Sequence, residues 1–485
     1  MLPEQHRFQI PPDCHWLDVR SRATNVGAAI TAAMRGIEQA NPETLYGIFG
    51  DVQWTNKDRL SDELLVNLID HFSGMNLSNA SAPGDVLGDA YEYLVKKFAD
   101  LTNKKAGEFY TLRSVVRLMV EILDPREGET VYDPACGTGG MLLETIHHVV
   151  ALGGDRRRML GHLYGQEKNL TTAAIACMNL FLHGTEEFQI VHGDTLRSPA
   201  FLFGDRLATF DCVIAYPPFS LSSWGDESWS SDPWGRNLAG TPPKNYGDWA
   251  WFQHMIASMA PGDGRLAVVL PHSALFRMGA EGKIRSKILD LIEAVIGLGP
   301  NLFYGASLAA CIVVARVRKP KVYLGKILVI DAAEKFQRGR SQNTLEPEHV
   351  EAILKMYQDF DEVAGQARVV TLDQVREQDG NLNLAGYVTP INGEAASTVA
   401  EATTSLRDAL DKARAAEDKL NKLLVERVVT DIDNIVRQVR FPGWQQTVAG
   451  EREVQKALRR SLLRYKLHTD QDLFDRAYSY IVQSY

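Results

Sequence analysis

Cysteine is scarce in this chain and never closely paired. Its five cysteines, Cys14, Cys136, Cys177, Cys212 and Cys311, form no CxxC motif, which argues against a zinc site or a disulfide framework and for a reducing, cytoplasmic setting. Long apolar runs are missing: no stretch approaches the roughly 20 apolar residues of a membrane span. The opening residues, MLPEQHRFQIPPD, lack the basic-then-apolar order of a secretion signal. Positive charge is in deficit, with a formal net charge of −9, and a protein that grips nucleic acid alone normally shows a basic balance or a basic face. Basic clusters such as Arg156-Arg157-Arg158 and Arg338-Gly339-Arg340 read as solvated faces. A GxxxxGK[ST] phosphate loop and a strict GxGxxG are both absent, which removes the sequence signals of a motor ATPase and of an ordinary dinucleotide fold.

What is there is a chain of 485 residues, 45% hydrophobic and 23% charged, the composition of a globular protein with more than one unit. Residues 1–106 carry apolar positions at helical spacing over Val26 to Ile37, Leu60 to Phe72 and Asp85 to Phe98. From about 107 the pattern changes. Short apolar runs, TVYDPA (130–135), HLYGQE (162–167), FQIVHGD (188–194), FDCVIAY (210–216), RLAVVLP (265–271) and ACIVVARV (310–317), alternate with helical stretches. That alternation predicts an α/β domain with a doubly wound, mostly parallel, Rossmann-like sheet over 107–378. Residues 220–247 are rich in Ser, Trp, Gly and Pro and read as a long loop. A Gly-rich linker and long helical arm are expected over 379–426, where Leu406, Leu410, Leu420 and Leu424 share a stripe. A small tail of two amphipathic helices is expected over 427–485, with Val454, Leu458, Leu462 and Leu463 on one and Leu473, Phe474, Ala477 and Tyr480 on the other.

The chemistry begins at VYDPACGTGG (131–140). A strand that ends in a glycine-rich turn and opens a helix lets backbone N–H groups approach a ligand. Gly137, Gly139 and Gly140 lack the Cβ that would keep a bulky ligand off. Glu167, at the end of the next strand, is placed to accept hydrogen bonds from two ribose hydroxyls. Asp194, at the end of the one after, is placed to accept from an adenine amino group. A dinucleotide-binding oxidoreductase would use Glu167 in the same way, and a strand-end acid can be a plain helix cap, so these residues alone leave the ligand open.

AYPPFS (215–220), after the fourth run, decides between them. With it the chain resembles the N6-adenine DNA methyltransferases, whose motif is Asn or Asp, Pro, Pro, then Tyr or Phe. The adenine amino nitrogen is a poor nucleophile because its lone pair is delocalised into the ring. An acceptor at the first position and the carbonyl of the first proline take its two hydrogens and aim the lone pair at a methyl donor. The prolines fix the carbonyl's direction, and the aromatic residue stacks on a base flipped out of the duplex. GEFYTLRSVVRLMVEIL (107–123), GQEKN (165–169), GDT (193–195), DWAWFQHM (248–255), PNLFYG (300–305) and ILVIDA (327–332) resemble the modification subunit of type I restriction–modification systems in particular.

The resemblance implies a class I methyltransferase fold preceded by a helical domain and followed by C-terminal helices. The implied cofactor is S-adenosyl-L-methionine. Glu108, Phe109, Tyr110, Thr111, Leu112 and Arg113 would face its methionine end, and Asp133, Ala135, Gly137, Thr138, Gly139, Gly140, Glu167 and Asp194 would complete the site. Tyr216, Pro217, Pro218 and Phe219 would face the target base, with no metal. The implied partners are double-stranded DNA, a DNA-recognition (specificity) subunit that does the gripping, and the restriction subunit.

Three features depart from the family. Position 216 is Tyr, where Asn or Asp is expected, and its ring would fill space meant for the adenine edge. The N-terminal helical domain reads as truncated at its front. Residues after about 424 resemble the C-terminal tail of the restriction subunit instead. A cofactor-binding assembly protein without catalysis is therefore the alternative reading.

Overall fold

The computed structural model describes residues 8–77, 81, 85–102, 112–303, 309–339, 342–389, parts of 403–437, 444–464 and 471–484. The chain forms two compact units, Met1–Ile391 and Asn392–Tyr485.

The first unit opens with helices Val26–Ala40, Asp62–Ser73 and Asp85–Thr102, close to the spans that helical periodicity predicts. Val19, Val26, Ala33, Leu65 and Ile69 form the common core of the first two, while the third packs on the helix Leu170–Leu182. Asp62 joins the first two: its carboxylate accepts from the backbone N–H groups of Asn25 and Val26 at 3.0 and 2.9 Å. Those two bonds hold its pKa below the usual carboxylate value and satisfy donors that a helix N-terminus otherwise leaves unpaired.

A nine-stranded sheet follows. Its strands are β1 (Val131–Asp133), β2 (Leu163–Glu167), β3 (Gln189–His192), β6 (Cys212–Ala215), β7 (Arg265–Pro271), β8 (Ile292–Leu298), β9 (Ala310–Arg316), β10 (Lys326–Ala332) and β11 (Ala367–Thr371). A separate hairpin pairs β4 (Leu202–Phe203) with β5 (Arg206–Leu207). The order across the sheet is β11-β10-β8-β9-β7-β6-β1-β2-β3. β9 runs antiparallel between β7 and β8, and β11 antiparallel to β10; the other pairs are parallel. The sheet is thus mixed and mostly parallel, as the alternation of runs predicts. Every residue of β7 and β8 is buried, which is why these strands, Arg265 and Glu293 apart, run apolar without alternating. The chain winds outward from β1 through β2 to β3, then returns to β6 on the other side of β1. The crevice at the carboxyl ends of β1 and β6 is therefore the switch point where open α/β sheets bind ligands.

The stretch from 379, expected to open a linker, is packed as far as Val388. Leu382, Leu384, Tyr387 and Val388 are buried against the sheet, and Leu382 N donates to Leu275 O at 3.0 Å. Their apolar side chains hold this stretch in the core despite its glycines. Most of the expected arm lies outside the described residues. In the second unit, helices Val448–Arg464 and Gln471–Ser484 pack through Trp444, Val454, Leu458, Leu462, Phe474 and Ile481. Leu463 and Tyr480, read as core positions from their spacing, are 55% and 60% exposed, and Ile481 takes the inward place. Among the described residues, no helix is long and apolar enough to cross a membrane.

Candidate active site

The glycine-rich turn is shaped by its own residues. Asp133 ends β1 and accepts from Ala135 N at 3.0 Å, closing a local turn. Gly137 and Gly139 have φ of +53° and +78°, left-handed values that other residues adopt only at a cost. Gly139 opens the helix Gly140–Ala151, whose amino end meets the crevice. A Cβ built on Gly140 would have no neighbour within 4 Å, so open space lies above the turn. That space is a cavity lined by Arg113, Asp133, Ala135, Gly137, Thr138, Gly140 and Tyr216, among others. Residues expected at a cofactor and a residue expected at a target base thus border one cavity.

Glu167, at the end of β2, accepts from Gly137 N at 3.1 Å and Asn169 N at 2.7 Å. Burial pushes its carboxyl up against the pull of these bonds. Asp133 is buried and pushed up to about 8, through desolvation and then the nearby Glu167 carboxylate. β3 ends at His192, so Asp194 stands two residues beyond the strand that was expected to carry it. It pairs with Lys168 Nζ at 2.8 Å. Neither Glu167 nor Asp194 lines the cavity itself; Glu167 reaches it through Gly137. Leu112 precedes the helix Arg113–Leu123 and packs on the core, and Arg113 pairs with Glu92. Glu108, Phe109, Tyr110 and Thr111 lie outside the described residues. Asp89, Glu92 and His183 bring possible metal-ligand atoms within 4.8 Å of one another, but Glu92 is the carboxylate already paired with Arg113.

β6 delivers the second motif. Tyr216 follows it directly, and its ring packs against Phe219 and Phe303 at centroid distances of 5.2 and 5.0 Å. Burial alone pushes its phenol well above the ordinary tyrosine value. After Phe219 the chain turns through Ser220 at φ +50°. Ser220 N donates to Asp248 Oδ1 at 2.8 Å. Asp248 is buried and pairs with Arg277, which also binds Glu281 at 2.6 Å and lies 4.2 Å from the Tyr246 ring. Asp248 sits in a family-like segment, yet its part in holding the loop is invisible in sequence: the Ser220 contact spans 28 residues.

The stretch 220–247 is irregular apart from the short helix Asp226–Trp229, and it is packed. Trp224, Trp229, Trp251 and Leu196 are buried together, with Ala135 of the glycine-rich turn against them. Its serines and glycines suggest an open loop; its tryptophans decide otherwise.

Residues 82–395 match the family model for the N-6 DNA methylase, and residues 1–72 match the HsdM N-terminal domain. The type I restriction enzyme MjaVII methylase subunit of Methanocaldococcus jannaschii is 34% identical over 407 residues, 81% of this chain and 66% of the relative. The HindI methylase subunit of Haemophilus influenzae is 31% identical over 385 residues, covering 75% and 83%. The chain thus spans a little under two thirds of the length of the archaeal relative. A crystal structure of the type I restriction–modification methyltransferase subunit from Streptococcus thermophilus matches with a TM-score of 0.69 and 29% identity, over 80% of this chain and 82% of that one. A class I methyltransferase sheet behind a helical HsdM-type domain, with the two motifs at its switch point, makes this chain a member of the N-6 DNA methylase family, on the branch of the type I restriction–modification methylase subunits.

Proposed function

We propose that this chain is the modification subunit of a type I restriction–modification complex, built to transfer a methyl group from S-adenosylmethionine to adenine N6 in double-stranded DNA. The observation that carries the reading is that Tyr216, the first residue of the segment 216–219 leaving β6, lines the cavity formed by the glycine-rich turn. The cofactor, when bound, supplies an electrophilic methyl group on a sulfonium sulfur.

The chain's own residues bind and orient. Gly137 and Gly140 line the cavity and admit the ligand to the backbone, and Gly139 lets the turn pack close to Ala176. Glu167 is assigned to the ribose hydroxyls; two backbone N–H groups already fix its carboxylate. Asp194 is assigned to the cofactor's adenine amino group. The Pro217 carbonyl accepts one hydrogen of the target amino group, and Phe219 stacks on the base. The departing N6 proton leaves to solvent, since Tyr216, held neutral by burial, is no base at neutral pH.

Tyr216 stands where the family's second acceptor would be. A neutral phenol at the end of a ring replaces a short amide or carboxylate, and that ring rests on Phe219, the surface the base would use. Transfer by the chain as it stands is therefore slow. Tyr216 also favours the second reading, a cofactor-binding assembly protein without catalysis. The net charge of −9 supports a separate DNA-recognition subunit as the partner that grips DNA, and the tail's likeness supports the restriction subunit as a further one.

Methyl transfer to adenine-containing DNA, with the cognate recognition subunit, tests the proposal in wild type and Tyr216→Asn. A gain of about 10²–10³ in the variant is expected, the usual worth of one well-placed polar group acting on developing charge. No transfer by either protein would leave the assembly reading standing. Calorimetry with S-adenosylmethionine should show micromolar binding, about −7 to −8 kcal/mol, that Glu167→Ala weakens; equal heats from both proteins would refute the assigned site.

A further inference from the structure

The segment that carries Asp194 closes a turn of its own, with Arg197 N and Ser198 N donating to the Asp194 carbonyl at 3.1 and 2.7 Å, and it is also held from outside. It lies beyond the end of β3, and two successive carbonyls behind it, those of Thr195 and Leu196, accept hydrogen bonds from the guanidinium of Arg236 at 3.0 and 2.9 Å. Arg236 is 2% exposed. Its Nε donates to Asp232 at 2.9 Å, and its backbone N–H binds the other oxygen of the same carboxylate at 2.7 Å. Indole rings of Trp229 and Trp234 stand 4.8 Å from it. From the opposite side, the Thr195 hydroxyl donates to Pro134 O, within the glycine-rich turn, at 2.6 Å.

A buried guanidinium is expensive to desolvate unless it is paired and its donors are satisfied. This one is, and much of that satisfaction goes to the two peptide groups that follow Asp194. A planar fork that binds two carbonyls sets their orientation as a point charge cannot. Arg236 itself belongs to the loop that starts at the target-base motif and is anchored at Ser220 by Asp248.

We propose that Arg236 is a positioning residue for purine recognition: it fixes the backbone after Asp194 so that the carboxylate meets the 6-amino group of the cofactor's adenine. The proposal rests on the assignment of Asp194 made above. It makes the cofactor's purine selectivity depend on the packed state of the loop that carries the target-base motif.

The test compares binding of S-adenosylhomocysteine with that of its 6-oxo analogue, S-inosylhomocysteine, by calorimetry on the full chain. Wild type should prefer the amino compound by about ten- to a hundredfold, the worth of one hydrogen bond to a charged acceptor. Arg236→Lys and Arg236→Met should reduce that preference to within about twofold of unity, whatever they do to the melting temperature. A folded variant that keeps the wild-type preference overturns the proposal. Hydrogen exchange on wild type gives an independent reading that needs no variant. The amides of 195–197 and 232–238 should slow together with S-adenosylhomocysteine and much less with the 6-oxo analogue; slowing at 195–197 alone would count against Arg236. Asp194→Asn separates the two layers. If it keeps the wild-type preference, or wild type has none, the Asp194 assignment fails and the proposal falls with it. If Asp194→Asn loses the preference and the Arg236 variants keep it, only the proposal fails.

Discussion

At the scale of single residues, burial raises the pKa of two side chains in the cavity wall, Tyr216 and Asp133, and only for Asp133 does this change the protonation state near neutral pH. Tyr216 stays a neutral phenol, so its effect on transfer comes from shape and from the acceptor it displaces. Replacing it with Asn therefore tests geometry and not acidity. Asp133 is held up to about 8 by burial, against 3.8 for the ordinary group. Below about pH 4 it is protonated in both folded and unfolded chains. Between there and about 8 the unfolded chain releases a proton that the folded chain keeps, so stability falls as pH rises through that window. Asp133→Asn retains an oxygen for the Ala135 N–H and removes the titration. Its melting temperature, measured without cofactor, should gain on wild type between pH 5 and pH 8. A gap that stays constant over that range would contradict the desolvation argument.

At the scale of elements, close approach decides where propensity does not. Gly27 sits in the first turn of the helix Val26–Ala40, and alanine would favour that helix by up to about 1 kcal/mol. A Cβ there, however, would lie 2.0 Å from the carbonyl oxygen of Trp54. Backbone cannot yield as a side-chain end can, so Gly27→Ala should lower the thermal stability of the N-terminal helices; an unchanged or raised melting temperature would show that the Trp54 segment moves freely. Arg265 in β7 offers a second case. It is buried, binds the Asp124 carbonyl at 3.0 Å and the Glu129 carboxylate at 2.6 and 3.0 Å, tying the end of the helix Arg113–Leu123 to the sheet. Removing one partner of a buried pair costs about 3–5 kcal/mol. Arg265→Met should reach that range in denaturant unfolding, and a loss below about 1 kcal/mol would mean solvent takes over the freed groups.

At the scale of the whole molecule, the second unit, Asn392–Tyr485, has its own core around Trp444. Deleting 427–485 should leave S-adenosylhomocysteine affinity within about twofold, since a unit with a core of its own contributes little to a pocket built within another unit. A large loss in a folded deletion variant would place the tail in the catalytic unit. Within the second unit Arg459 lies 4.9 Å from the Phe474 ring. DNA binding by the chain alone should be weak and fall steeply with salt, as contacts made through phosphate do; tight, salt-insensitive binding without a partner would contradict it.

Local chemistry was legible in the sequence. The glycines of 137–140, the carboxylate ending β2 and the diproline after β6 are each dictated by what a turn or a strand end can hold within a few residues, and they point to the family. Strand β8 was less legible, because its continuous apolar run follows helical periodicity and carries no alternation to separate it. β11 was missed as well, since its pairing with β10 joins residues about 40 apart. Only the tertiary structure decided that Tyr216 rests on Phe219 and Phe303, that Asp248 anchors Ser220, and that Arg236 holds the backbone behind Asp194. Apart from the Tyr216–Phe219 contact, these join positions 28 to 87 residues apart in sequence. They depend on how the sheet brings together the segments that follow β3, β6 and β8, and no local pattern records which distant carbonyl or ring a side chain will meet.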